Sequence, residues 1–318
     1  MKKIIVIAGA TGDLGERILN SLVAKGAEIR VIARAESNAE KLRKFESLGI
    51  KVYNVATWTV EELSKACVGA SCVVSVLSGL RNVIVDAQKI LLDAAVAAKV
   101  PRFIPSDYSL DFTQFSDGEN RNLDLRREFH AYLDKKPISA TSIFNGAFTD
   151  LLTGKMPLIL FKHKLIVYWG SADHLMGFTT MDDTAYYTAD VALDDSAPRY
   201  LRVAGDQISA RQLRTELVKI TGEKYRFFRA GSMWLLGILI KIARSFSPGE
   251  HALYPAWQGM QYMRNMVDKR SDLVTVDNER YSEMPWTKAK DVLSKDHHSK
   301  IMKEYHLYMH SSPDDLAT

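Results

Sequence analysis

Three glycines at a spacing of three, Gly9, Gly12 and Gly15, follow directly on the apolar run Ile-Ile-Val-Ile-Ala at residues 4–8, with Thr11, Asp13 and Leu14 between them. Glycine at the first position permits a tight exit from a strand. At the second it lets a pyrophosphate approach the backbone, and at the third it lets the next helix pack closely on the sheet. A helix starting there turns unpaired N–H groups and the positive end of its dipole toward the phosphates. Ile18, Leu19 and Leu22 supply that helix with an apolar face, and Glu16, Arg17 and Asn20 supply the polar one. A ligand-free turn would explain the glycines alone; the strand before and the helix after point to dinucleotide binding.

Arg34 is the second position that carries chemistry. It ends the next apolar run, residues 28–33, where a site selective for NAD(H) places a carboxylate on the ribose 2′-hydroxyl. A guanidinium there grips a 2′-phosphate through two charge-assisted hydrogen bonds and stacks on adenine, so the expected cofactor is NADP(H). Glu36 falls in a polar run that reads as a solvated loop, and Lys41 and Lys44 read as an exposed helix face. Tyr132 and Lys136 have the Tyr-x-x-x-Lys spacing of a proton-donating pair, but Pro137 ends their helix at once, which favours a helix-end tyrosine beside a solvated lysine. His130 has no partner identifiable in the sequence, and it reads as structural or exposed. Adjacent His297 and His298 bring no further metal ligands.

The elements that must position these residues alternate through the first half. Strands are expected at residues 51–55, 72–77, 102–104 and 140–144. Helices are expected at 82–98, stopped by Pro101, and at about 123–133, with a further one opened by a capping box from Thr59 to Glu62. That alternation argues for a parallel sheet covered on both faces, with residues 106–122 as an inserted loop. Beyond Asn145 the regularity fails. Strands are expected at 165–168 and 200–203, with helices at 182–192 and after Ser209 and Gln212. Residues 230–267 are rich in Met and Trp, which would suit either an apolar pocket or the core of a smaller domain.

Composition bounds the rest. At 318 residues and 47% hydrophobic, the chain can bury one large core and a smaller attached one. A net charge of +4 with no basic block leaves no electrostatic footprint for nucleic acid. Cys67 and Cys72 are the only cysteines, which suits a reducing, cytoplasmic setting, and a chain that runs at once into a strand shows no secretory signal. The longest apolar run, residues 233–240, is followed by Lys241 and Arg244 and falls short of the roughly 20 residues of a membrane span.

The loop from Gly9 to Gly15, Arg34, the stretch Pro-Arg-Phe-Ile-Pro-Ser-Asp-Tyr at residues 101–108, Asn145 before Gly146 and Phe148, and Asp-Asp-Thr-Ala at 182–185 together resemble the NmrA-like proteins. These atypical short-chain dehydrogenase/reductases include isoflavone-reductase-like and phenylcoumaran-reductase-like enzymes. The resemblance runs from residue 1 to about residue 230. It implies a Rossmann-type doubly wound α/β domain binding NADP(H) over residues 1–150, rejoined by about 178–204, and a smaller α+β substrate domain over 151–318. It also implies that Leu77, Ser78 and Gly79, with Pro105 and the residues after it, flank the nicotinamide, and that Asn145 belongs to the cofactor site.

Catalysis transfers less completely. The isoflavone-reductase branch carries a lysine on the helix before the Asn145 strand; at residues 124–127 this chain reads Asp-Leu-Arg-Arg. The glycine common after the Pro-Ser-acidic-aromatic motif is replaced by Ser109. Arginine stays protonated and is a poor proton donor. Proton delivery is therefore expected from Tyr108 first and Ser106 second, or from water, with Asp107 orienting the loop. Two functions follow. One is an NADPH-dependent reductase of a small apolar, aromatic or quinone-like carbonyl or enone; the other is an NADP(H)-binding redox sensor acting on a protein partner without turnover. Either suits a monomer or homodimer.

Overall fold

In the computed structural model, residues 2–246, 249, 251–273, 275–281 and 284–310 are described. The first half runs β1 (Ile4–Ala8), α1 (Asp13–Ala24), β2 (Glu28–Arg34), α2 (Ala39–Ser47), β3 (Lys51–Val55), α3 (Val60–Cys67), β4 (Cys72–Ser75), α4 (Gln88–Ala97), β5 (Arg102–Ile104), α5 (Arg121–Leu133), β6 (Ser139–Ala140) and β7 (Ser142–Phe144). The strands form a six-stranded sheet in the order β3-β2-β1-β4-β5-β6. Every pairing in it is parallel. It is a doubly wound Rossmann-type sheet. Chain order reverses between β1 and β4, which opens the crevice where such sheets bind ligands.

Burial explains the parallel arrangement. All four residues of β4 and the last four of β1 are buried, as a sheet covered on both faces requires. Ile18, Leu19 and Leu22 of α1 close one face, and Leu63, Leu91, Leu92 and Phe129 close the other.

The second half contributes β8 (Ala147–Phe148), β9 (Ile159–Leu160), β10 (Leu165–Trp169), β11 (Met176–Thr179), α6 (Met181–Leu193), β12 (Tyr200–Arg202), β13 (Asp206–Ile208), α7 (Ala210–Thr221), β14 (Arg226–Gly231), α8 (Met233–Phe246), α9 (Ala256–Met266) and α10 (Ala289–His310). Two small sheets, β14-β10-β9 and β13-β11-β8, surround a separate apolar core that includes Ile166, Phe178, Leu213 and Met263. Residues 181–203 lie back against the first half: α6 packs on α1 through Ala185, Tyr187 and Val191, and β12 pairs parallel with β7.

Three local features differ from the sequence expectations. The helix expected at 82–98 begins as a π-helical turn, Asn82–Ala87, before α4. The strand expected at 140–144 is divided at Thr141, so that β6 pairs with β5 and β7 with β12. The polar loop at 106–122 is pinned by buried Phe112 and Phe115. Apolar periodicity reports none of these, since each depends on which neighbour a segment meets.

Candidate functional site

The glycine loop is a cradle built by steric exclusion. Gly9 sits at φ +93°, and a Cβ there would lie 2.5 Å from the Val76 carbonyl oxygen beyond β4. A Cβ on Gly15 would lie 2.2 Å from the Gly9 carbonyl oxygen, so α1 can rest on the loop only without a side chain at that position. Gly12 differs, since its nearest obstacle is the Gly9 carbonyl oxygen at 3.4 Å; the space it leaves open faces outward. Gly12 also N-caps α1, and no side chain caps that end. The first N–H groups of α1 are therefore available to an anion. Leu14 packs on the core below. Asp13, the one acid in the loop, is held by Arg17 at 2.7 Å, and Arg17 also reaches Asp182 on α6.

Cations gather beside this cradle. Arg34, at the end of β2, is 64% exposed; Nη1 lies 3.3 Å from Glu36, and its backbone is locked into a turn with Ser37. Lys41 Nζ donates to the Thr11 carbonyl at 2.9 Å and to Glu16 at 2.7 Å, and Lys44 reaches the other Glu16 oxygen at 2.9 Å. These two lysines hold the Glu16 carboxyl below the usual range. The reading of Lys41 as plain surface is thereby corrected, because it ties the glycine loop to α2.

On the other side of the crevice, the ends of β4 and β5 are stitched together. Ser106 Oγ donates to the Leu77 carbonyl at 2.7 Å, and the Ser106 N–H donates to Gln88 Oε1 at 2.9 Å. Gln88 Nε2 in turn satisfies Ile84, a carbonyl in the π-turn. Gly79 makes room for that turn, since a Cβ would lie 2.6 Å from Val83. Ser78 is exposed between half-buried Leu77 and Gly79, and Pro105 is buried just beyond β5. Arg126, on α5, donates through Nε to the Ser106 carbonyl at 3.2 Å and through Nη1 to the Asn122 carbonyl at 2.9 Å. Among the described residues no carboxylate lies within ion-pair reach of it. Arg127, its neighbour, is instead committed to Asp117 and Asp124.

The two hydroxyls expected to carry a proton both belong to buried residues. Tyr108 packs into the core between the sheet and α6, and burial pushes its phenol well above the ordinary range. Ser106 is nearly buried, and its hydroxyl proton is already donated to Leu77. Tyr108 Oη is buried with no hydrogen-bond partner among the described residues. The chain turns where β5 ends, with Asp107 N–H bonding the Pro105 carbonyl, and Tyr108 follows in the core cluster that also takes Ala185, Tyr187 and Ala189 of α6.

Asp107 and His130 form a buried pair that the sequence did not reveal. Asp107 Oδ2 meets His130 Nε2 at 2.6 Å and accepts from Ser142 Oγ at 2.7 Å. Arg199 donates to His130 Nδ1 at 3.1 Å and to Ser142 Oγ at 2.8 Å, which leaves Nε2 as the imidazole's donor. The cluster fastens β5, α5 and β7 beneath the crevice. Its partners come from four distant segments, so no local pattern announces it. Tyr132 and Lys136 instead share Asp93 on α4, both at 2.7 Å, as a helix-end contact away from the crevice.

Asn145 is fully buried. Its carbonyl accepts from Thr179, while both amide atoms have no partner among the described residues. Ser75, at the end of β4, and Thr149 likewise hold unpartnered buried hydroxyls. A buried amide left this way costs free energy unless a ligand or water meets it.

The crevice wall next to α5 is held by amides. Asn120 caps α5, its Oδ1 accepting from Asn122 N–H, Leu123 N–H and Gln258 Nε2, while its Nδ2 donates to Asn265 at 2.9 Å. Asn120→Ala removes a cap and two buried bonds that dock α9, so it should lower unfolding free energy by about 2–3 kcal/mol in urea titration. A loss below about 1 kcal/mol would show that α9 is held by its apolar face instead.

A cavity of about 510 Å³ bordered by Arg102, Lys136 and Arg199 lies at the start of β5, the edge opposite the glycine loop, and plays no part in this site. Among the described residues no cluster of His, Cys, Asp or Glu gathers to hold a metal, and no helix is long and apolar enough to cross a membrane.

Comparisons with known proteins agree with this architecture. A bifunctional pinoresinol-lariciresinol reductase of Linum usitatissimum is 25% identical over 308 residues, 91% of this chain and 97% of that protein. Pinoresinol reductase 2 of Arabidopsis thaliana is 27% identical over 201 residues, 58% of this chain and 63% of the relative. Among solved structures, an isoflavone reductase superposes with a TM-score of 0.78 at 17% identity, covering 93% of this chain and 99% of its own. An NADPH complex of an NADPH-dependent quinone oxidoreductase from Escherichia coli superposes with a TM-score of 0.69 at 21% identity, covering 93% and 99%. The sequence profile of the NmrA-like family matches residues 1–248, and the chain belongs to that family.

Proposed function

We propose that the protein is an NADPH-dependent reductase of a small apolar, aromatic or quinone-like carbonyl or enone. The observation that carries this reading is the glycine cradle at an uncapped helix start, with the exposed fork of Arg34 at the end of the neighbouring strand. The residues fit the cofactor: Gly9, Thr11, Gly12, Asp13, Leu14 and Gly15 for the pyrophosphate, Arg34 for the 2′-phosphate, and Leu77, Ser78, Gly79, Pro105 and Asn145 around the nicotinamide. When bound, the reduced nicotinamide supplies a hydride. The reductases named above, acting on pinoresinol, lariciresinol and quinones, support an aromatic or quinone-like substrate.

In this proposal the protein's part is positioning and charge. Arg126, tethered to the end of β5 and free of acid partners, steadies negative charge developing on the substrate oxygen. Water delivers the proton, since Ser106 is bonded to Leu77 and Tyr108 lies in the core. Arg126→Met should then lower kcat by roughly 100-fold with little change in NADPH affinity.

The test is NADPH consumption with a panel of quinones, enones and aromatic aldehydes. Turnover of at least one, lost in Arg126→Met, supports the reductase. Tight NADP(H) binding with no turnover would favour the second reading, a redox sensor, for which the burial of Tyr108 and the engagement of Ser106 already speak. Arg34→Ala addresses the cofactor separately: NADPH affinity should fall roughly 10 to 100-fold by calorimetry, while NADH affinity stays nearly unchanged. Equal losses for both would remove Arg34 from the 2′-phosphate site.

A further inference from the structure

We infer that α8 and the edge strand β14 form an interfacial patch that lays the protein on an anionic lipid surface without spanning it. The helix Met-Trp-Leu-Leu-Gly-Ile-Leu-Ile-Lys-Ile-Ala-Arg-Ser-Phe is apolar on two opposite sides. Leu236 and Ile240 point into the second-half core, while Trp234, Leu235, Ile242 and Phe246 lie across the helix from them, Trp234 at 76% and Phe246 at 87% exposure. An all-round apolar helix is ordinarily buried, and among the described residues this one has no partner covering its outer side. Phe228, on β14, is a further exposed aromatic, at 53%.

Charge selects the partner. From Lys224 to Gly249 the described residues carry Lys224, Arg226, Arg229, Lys241 and Arg244 and no acid, although the whole chain nearly balances its charges. Arg244 lies over the Trp257 ring, 5.1 Å from its centroid, and like Lys224, Arg226, Arg229 and Lys241 it is exposed. Exposed apolar anchors, with tryptophan among them and exposed cations on the same stretch of chain, are what an interfacial helix needs on anionic lipid. A second copy of the chain would bring the same cations against these, which disfavours self-pairing on this face. The patch also sits where an apolar compound dissolved in lipid would be useful, because α8 packs on α9, and α9 docks on the start of α5, the helix that carries Arg126.

The test is vesicle flotation with phosphatidylcholine alone and with phosphatidylserine added. The protein should float with the phosphatidylserine vesicles, lose that association in high salt, and shift its tryptophan emission to the blue on binding. The double variant Trp234→Ser with Ile242→Ser should bind roughly tenfold less or weaker, and Arg229→Glu with Lys241→Glu should abolish the preference for phosphatidylserine, with NADPH binding and melting unchanged in both. No association of the wild type with either vesicle overturns the inference, as does equal binding by the apolar variant. Light scattering that shows a wild-type dimer, converted to monomer by that variant without vesicle binding, also overturns it and makes the face a contact between copies.

Discussion

Gly15→Ala should reduce NADPH affinity by at least about 100-fold, a loss of about 2.7 kcal/mol or more. The cause is geometric. The new methyl would sit 2.2 Å from the Gly9 carbonyl oxygen and 2.9 Å from Ala10 Cα, both backbone atoms that cannot rotate away. Helix α1 must move outward, carrying its free N–H groups from the place where a pyrophosphate would sit. Some stability goes with it, since Ile18, Leu19 and Leu22 leave their fit in the core. Gly12→Ala separates the two effects. Its methyl meets only ordinary contact at 3.4 Å and its backbone is extended, so melting should match the wild type while NADPH binding weakens. Calorimetric titration of both variants decides: if Gly12→Ala binds as well as the wild type, the phosphates do not approach the backbone there.

Asp107→Ala should lower stability by about 1–3 kcal/mol, the usual cost of leaving buried hydrogen-bond donors without their acceptor. The carboxyl is 0% exposed, and its loss strands the His130 Nε2–H and the Ser142 hydroxyl where no water reaches. The effect should also depend on pH. Burial works against ionisation of Asp107, but its hydrogen bonds with His130 and the Ser142 hydroxyl and the nearby charge of Arg126 outweigh it and hold the carboxyl below its usual range. A group depressed in the folded state stabilises fully above its unfolded pKa, about 3.9, and that contribution disappears as pH falls through the folded value. Urea titrations of wild type and Asp107→Ala from neutral pH downward should therefore show a constant gap until about pH 4 and a narrowing one below. A gap that stays unchanged into strong acid would mean that the carboxyl's ionised form contributes nothing to the cluster.

The two halves of the chain differ in how much their residues reveal. The alternating first half was readable because strands buried on both faces are near-continuous apolar runs and helices carry apolar residues at a different period. The ends of the elements were less readable. The π-turn before α4 is tied to the end of β5 through Gln88, which accepts from Ser106 N–H, a contact across the fold that no local pattern announces. The Met and Trp region divides in a way that composition could not foresee: Trp257, Met263 and Met266 are buried, while Trp234 stands in solvent. Lys41 looked like helix surface because its partners, Thr11 and Glu16, lie one βα unit earlier.

What the sequence determined by itself is local: a strand, a glycine turn and a helix start within fifteen residues, followed by an arginine at the next strand's end. Those residues act through their own backbone geometry and their own charge, and neither needs a distant partner to be legible. Which side chains face the crevice was decided only by tertiary structure. Tyr108 lies one residue beyond Asp107, yet the turn at Pro105 and the packing of α6 put its hydroxyl in the core. Arg126 and Arg127 are neighbours on one helix, and the 100° between successive helical residues sends one to the end of β5 and the other to Asp117. Side-chain direction and burial come from contacts between segments far apart in the chain, and a linear pattern does not contain them.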